Sequence, residues 1–182
     1  DMGDTGTVTF YGTGGSGAIS AIDDTTPTAG EESWDDVTGA DSVPGGPTGN
    51  NMFHYTNSSL MDGLAVTASY TPSDGSNEVE SSSDFAVKYT GVDGLTIGAG
   101  QGEDKGAAAH IDSDVVYATY TFDAFSVGYS ASENDSQTTN ADKEMTALGV
   151  SYAISDNMSV SYNVSEIEYE NATLSDQEAT GI

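Results

Sequence analysis

Glu31, Glu32, Asp35 and Asp36 flank the only tryptophan of the chain, Trp34, and Asp23, Asp24 and Asp41 lie in the same stretch. Carboxylates crowded this way attract cations and repel anions by charge alone. They do not form a catalytic pattern. His54 and His110 stand in unrelated places with no nucleophile motif beside either, so a triad or acid–base pair has no second member. Gly100-Gln101-Gly102 is not followed by a helix and cannot cradle a phosphate. Without cysteine there is no thiolate metal site and no disulfide. DGSNEVE (74–80) and GEDKG (102–106) offer carboxylates for weak Ca²⁺ or Mg²⁺ binding on external loops, without EF-hand spacing. The expectation is a protein with no resident cofactor and no enzymatic activity. Its one strand-borne cation is Lys88, sharing a polar face with Ala86 and Thr90.

Elements must hold these groups in place, and composition restricts which. Thirty acids against three lysines give a formal charge of −27 over 182 residues. Nothing here could neutralise phosphates, so nucleic acid is excluded as a partner. No apolar run approaches the roughly 18 to 20 residues of a spanning helix. Only 36% of the residues are apolar and glycine reaches 22, which suits a solvated acidic surface protein. A β-sandwich adhesin or S-layer module with calcium-bridged loops is one such architecture.

The placement of the charges points elsewhere. Period-two alternation marks 7–11, 52–56, 64–70, 85–91, 94–100, 115–122, 125–131, 145–154 and 158–165. These segments hold roughly a third of the chain and none of its thirty acids. A disordered polyanion does not sort its charges in this way. Along 158–165, Met158, Val160, Tyr162 and Val164 oppose Ser159, Ser161, Asn163 and Ser165. Each strand therefore has one apolar and one small polar face. The acids are expected in the connections.

Those connections alternate in length. Asp62-Gly63, Asp93-Gly94, Asp123-Ala124 and Asp156-Asn157 are short turns of residues that tolerate positive φ. Between them run long acidic loops at 71–83, 101–113, 132–143 and 168–179. All short turns then fall at one end of the sheet and all long loops at the other. An up-and-down meander keeps that order, and closing it removes its edges. Apolar-out, polar-in strands with Tyr89, Phe122, Phe125 and Tyr152 near the short turns fit a transmembrane barrel whose apolar faces meet lipid.

The stretch 45–71 resembles Gram-negative general diffusion porins. The matching features are Asn51 and Tyr55 on a strand, Ser58, Ser59 and Gly63 through a turn, and an alternating strand ending in Tyr70. TGTVTFYG (5–12) is similar to the strand that leads into the constriction loop of that family. The resemblance implies an all-β, up-and-down barrel, with about ten strands of an about 16-stranded whole present as an internal fragment. It implies a single partial barrel domain over 1–182, with 12–50 as a long inward-folding constriction loop. Asp23, Asp24, Glu31, Glu32, Trp34, Asp35, Asp36 and Asp41 would then line the constriction together with Lys88. In the family, acids on that loop face a wall of arginines, and this chain has no arginine. The implied setting is a homotrimer in the bacterial outer membrane, among lipid and lipopolysaccharide. It would pass small hydrophilic solutes by diffusion, with a preference for cations.

Overall fold

A computed structural model describes residues 1–22, 25, 26, 33, 37, 43–73, 75, 80–105 and 110–182. A 3-10 turn over Gly3–Thr5 leads into β1 (Thr7–Tyr11), and a second 3-10 turn, Ile19–Ala21, separates two short strands, β2 (Gly15–Ser16) and β3 (Thr48–Gly49). Then follow β4 (Met52–Asn57), β5 (Leu64–Thr71), β6 (Ser82–Val92), β7 (Leu95–Asp104), β8 (Ile111–Phe122), β9 (Phe125–Ser136), β10 (Lys143–Ser155), β11 (Met158–Tyr169) and β12 (Gln177–Gly181). β2 pairs with β3 as a separate ribbon. The other ten strands form one antiparallel sheet in the order β1-β4-β5-β6-β7-β8-β9-β10-β11-β12, so each pairs with its nearest neighbours along the chain. No Greek-key crossing interrupts the sheet, and the sandwich architecture has no counterpart in it.

The short turns are built as their residues dictate. Phe122 pairs with Phe125 around Asp123-Ala124, and Asp123 takes φ 53°. Val92 pairs with Leu95 around Asp93-Gly94, where Gly94 takes φ 71°. Both are left-handed angles that Asp and Gly adopt readily. The carbonyls of Gly63, Gly94 and Ala124 each accept a backbone N–H from the next hairpin, those of Thr90, Thr121 and Ala153, all at 2.8 Å. Successive hairpins are thus bonded to one another at the turn end as well as along the ladder.

The strands run further than the apolar alternation indicates. β9 continues to Ser136, β10 begins at Lys143, and β11 continues to Tyr169. The long connections are correspondingly shorter than expected, and Glu103, Asp112, Asp114, Glu133, Glu144 and Glu166 lie on strands instead of in loops. The absence of charge marks where lipid ends, and a ladder can continue into water beyond that line. One outer-face row, Tyr55, Ala68, Phe85, Gln101, Asp114, Glu133, Glu144 and Glu168, stands in direct register across eight strands. It starts apolar and ends as a run of carboxylates. Like charges directly opposite are destabilising, so this part of the ladder is tolerable only where solvent screens it.

The outer face carries the large apolar side chains and leaves them exposed: Phe10 and Phe53, with ring centroids 5.0 Å apart, then Phe85, Ile97, Tyr120, Phe122, Phe125, Tyr129, Tyr152 and Val160. Buried apolar residues sit on the opposite face, under the segment between β1 and β4. This inverted distribution suits a wall with lipid outside. Arginine in place of Val160 is predicted to cost about 2 to 4 kcal/mol at mid-bilayer depth. Urea unfolding in lipid vesicles measures it, and a cost near zero would place Val160 away from lipid.

Candidate functional site

The site forms where the described residues of the segment 12–50 meet the polar face of the sheet, and four wall side chains receive them. Ile19 N–H donates to Asp84 Oδ2 on β6 at 2.8 Å, and Gly45 N–H donates to Asn134 Oδ1 on β9 at 2.8 Å. Ser33 N–H donates to Asn163 Oδ1 on β11 at 2.8 Å, and the Ser33 and Ser165 hydroxyls share a hydrogen bond of 2.8 Å. Asp84 and Asn134 work alike. Each accepts one backbone N–H from the segment and one serine hydroxyl from the preceding strand, Ser69 for Asp84 and Ser113 for Asn134. Asp84, Asn134 and Asn163 are all at most 5% exposed, so these bonds are shielded from competing water. The Asn163 Nδ2 is buried with no partner among the described residues.

Apolar contacts complete the fit. Ala18, Ile19 and Ile22 pack with Ala86, Val115 and Tyr117, and Val37 and Val43 pack with Met145 and Ile167. β7 makes room for the first cluster by presenting Gly98, Gly100 and Gly102 to this face. A Cβ on Gly100 would stand 2.9 Å from Ile22 Cδ1 and 3.0 Å from the Phe85 carbonyl oxygen. One on Gly98 would collide with the Tyr117 ring.

Lys88 lies on the same polar face of β6, opposite Ala65 on β5 and Gly98 on β7, and it is exposed. No described carboxylate is within ion-pair distance of it. The described ion pair is Lys105 Nζ to Glu103 Oε2 at 2.7 Å, outside the lipid-facing band, and its hydrogen bond holds the Lys105 ammonium above the usual lysine range. Asp23, Asp24, Glu31, Glu32, Trp34, Asp35, Asp36 and Asp41 lie outside the described residues. His54 faces the polar side with its ring centroid 5.9 Å from that of Tyr11 in an edge-on contact, and it has no catalytic partner among the described residues. Asp84, Asn134, Asn163 and Ser165 were not singled out from the sequence. The available signals were an asparagine in mid-strand at Asn163 and the alternate glycines of β7.

The sequence matches the Gram-negative porin family over residues 1–182. This chain belongs to the Gram-negative porin family. Among solved structures, the porin is similar to in-vitro folded OmpT, an outer membrane protein of Vibrio cholerae, with TM-score 0.64 and 16% identity over 97% of this chain and 59% of that one. A loop L8 deletion mutant of the same OmpT gives TM-score 0.63 and 18% identity over 97% of this chain and 63% of the other. At such identity the likeness establishes the fold, an outer-membrane β-barrel. The porin spans about three fifths of the length of these two chains. Comparison with curated proteins gives no match. Family and fold together place the porin in the bacterial outer membrane.

Valine in place of Gly100 is predicted to push Ile22 off the wall, at a cost of about 1 to 3 kcal/mol. Limited proteolysis should then cut within 12–50 faster while the heat-modifiable barrel band persists. An unchanged cleavage rate would mean that the contact does not hold the segment.

Proposed function

We propose that this porin forms a water-filled channel for passive diffusion of small hydrophilic solutes, that it prefers cations, and that 12–50 is its constriction. The observation that carries the proposal is the set of hydrogen bonds from Ile19, Ser33 and Gly45 to side chains on the polar face of β6, β9 and β11. A connection standing outside the barrel would have no reason to satisfy its backbone on that face. Connections beyond about 12 to 15 residues are commonly functional, and this one lies in the lumen where it narrows the free cross-section. The function is transport without chemistry. The barrel works as a homotrimer among lipid and lipopolysaccharide.

Cation preference follows from charge. Thirty acids against three lysines hold the lumen and its entrances at negative potential. A channel with low-dielectric walls focuses that field. If Glu31, Glu32, Asp35 and Asp36 line the narrowest point, passing cations exchange some hydration for carboxylate contacts while anions are repelled. Lys88, on the polar face of β6, is a charge of opposite sign that moderates this preference.

Two measurements on the intact protein in planar bilayers check the reading. Deleting about 20 residues from 12–50 is expected to raise single-channel conductance, and unchanged conductance would place the segment outside the path of ions. Reversal potentials across a KCl gradient should show cation preference that fades as the screening length falls from about 10 Å at 0.1 M to about 3 Å at 1 M. Converting the four acids to amides should weaken the preference further. Anion selectivity would overturn it.

A further inference from the structure

The geometry points to Asp84 as the positioning residue that sets the aperture, because it pins the neck where the outgoing and returning legs of 12–50 meet. This rests on the reading of that segment as the constriction, and adds which side chain fixes it. On the outgoing leg, Ile19 N–H donates to Asp84 Oδ2 at 2.8 Å. A Cβ on Gly17 would collide with the same carboxylate and stand 2.7 Å from the Pro47 carbonyl oxygen of the returning leg. On the returning leg, a Cβ on Gly46 would stand 3.4 Å from Asp84 Oδ2 and collide with Ile19. From the wall, a Cβ on Gly102 would stand 3.0 Å from Asp84 Cβ. Glycines of the outgoing leg, the returning leg and the wall thus close around one carboxylate. The β2–β3 ribbon ties the two legs together at their base.

The second carboxylate oxygen accepts the Ser69 hydroxyl from β5, so Asp84 is itself held from the neighbouring strand. It pairs with no cation among the described residues and is 5% exposed. Its hold on the neck is therefore hydrogen bonding through both oxygens of one side chain, and burial keeps competing water away from it. Asn134 and Asn163 each fix one place further along the segment. Asp84 accepts from the outgoing leg and lies beside Gly46 of the returning one, so losing it frees the neck and lets the aperture fluctuate.

Single-channel records of the intact protein test this at about 0.1 M and about 1 M KCl. The wild type should show one steady conductance level. Asp84→Ala should lose that single level and gain open-channel noise at both salt concentrations, with the heat-modifiable oligomer unchanged. Asp84→Asn keeps an acceptor for Ile19 and should recover most of the steady level. A merely structural role would shift the melting of the oligomer and leave the noise alone. Should Asp84→Ala fail to assemble, Gly46→Ala carries the same test, since its methyl is forced between Ile19 and the carboxylate. A wild-type record in the assembled variant overturns the assignment, as does equal noise in Asp84→Ala and Asp84→Asn. Wild-type protein that opens no channel refutes the diffusion-channel reading instead, which separates the two failures.

Discussion

The interior of a bilayer offers no water to a backbone N–H or carbonyl, so every such group within it must be satisfied by another strand. The rest of the molecule follows from that constraint. Sequential pairing from β1 through β12 meets it with short turns alone at one end. The bonds from the Gly63, Gly94 and Ala124 carbonyls to the next hairpin extend it into the turns themselves. Once the backbone is paired, side chains need only suit their solvent. Small side chains dominate the inward face, and most of the large apolar ones, Phe53, Phe85 and Tyr129 among them, face out.

A wall of this kind has no core of its own, which gives 12–50 a second task. Ile19, Ile22, Val37 and Val43 bring to the polar face the apolar surface that the strands send to lipid, and they bury it against Val115, Tyr117, Met145 and Ile167. The segment that narrows the lumen in our reading also supplies its dry interior. Hydrogen bonds to Asp84, Asn134 and Asn163 fix where that packing occurs, because apolar contact alone has no direction. Aperture and internal packing are coupled through the same residues.

The sheet was legible in the sequence because alternation and charge exclusion act on short range. Met158 to Ser165 announces its two faces residue by residue. The ends of the strands were not legible, since Glu166 and Glu168 mark departure from lipid while β11 runs on to Tyr169. Asp84 was passed over for the same reason: an acid beside an apolar stretch reads as the start of a loop. Its role depends on Ile19 and Gly46, which lie far from it along the chain. Ile19 and Ile22 sit among Gly, Ser and Asp with no periodicity, so nothing local marks them as packing residues. The acids from Asp23 to Asp41 were easy to notice by type, whereas the residues that anchor their segment become visible only through register.

The row from Tyr55 to Glu168 is also an inclinometer. It runs perpendicular to the strands, whose spacing is about 4.8 Å, and strands of such barrels lean about 35 to 45° from the axis. Each step to the next strand therefore climbs about 3 Å along the axis, and the whole row climbs about 20 Å, most of the apolar height of about 25 Å. That slope is why the row can begin at Tyr55, close to the short turns, and finish at Glu168 in water. Inside the lumen the same slope is cancelled. From Asp84 on β6 to Asn163 on β11 the attachment drops six residues along the strands while crossing five of them. Descent and climb are both about 15 Å, so the two attachments stand at one depth. Asn134, three strands across on the row of Asp84, stands about 9 Å higher, so Ile19 and Ser33 are held at one depth while Gly45 is hung above them on the slanted wall.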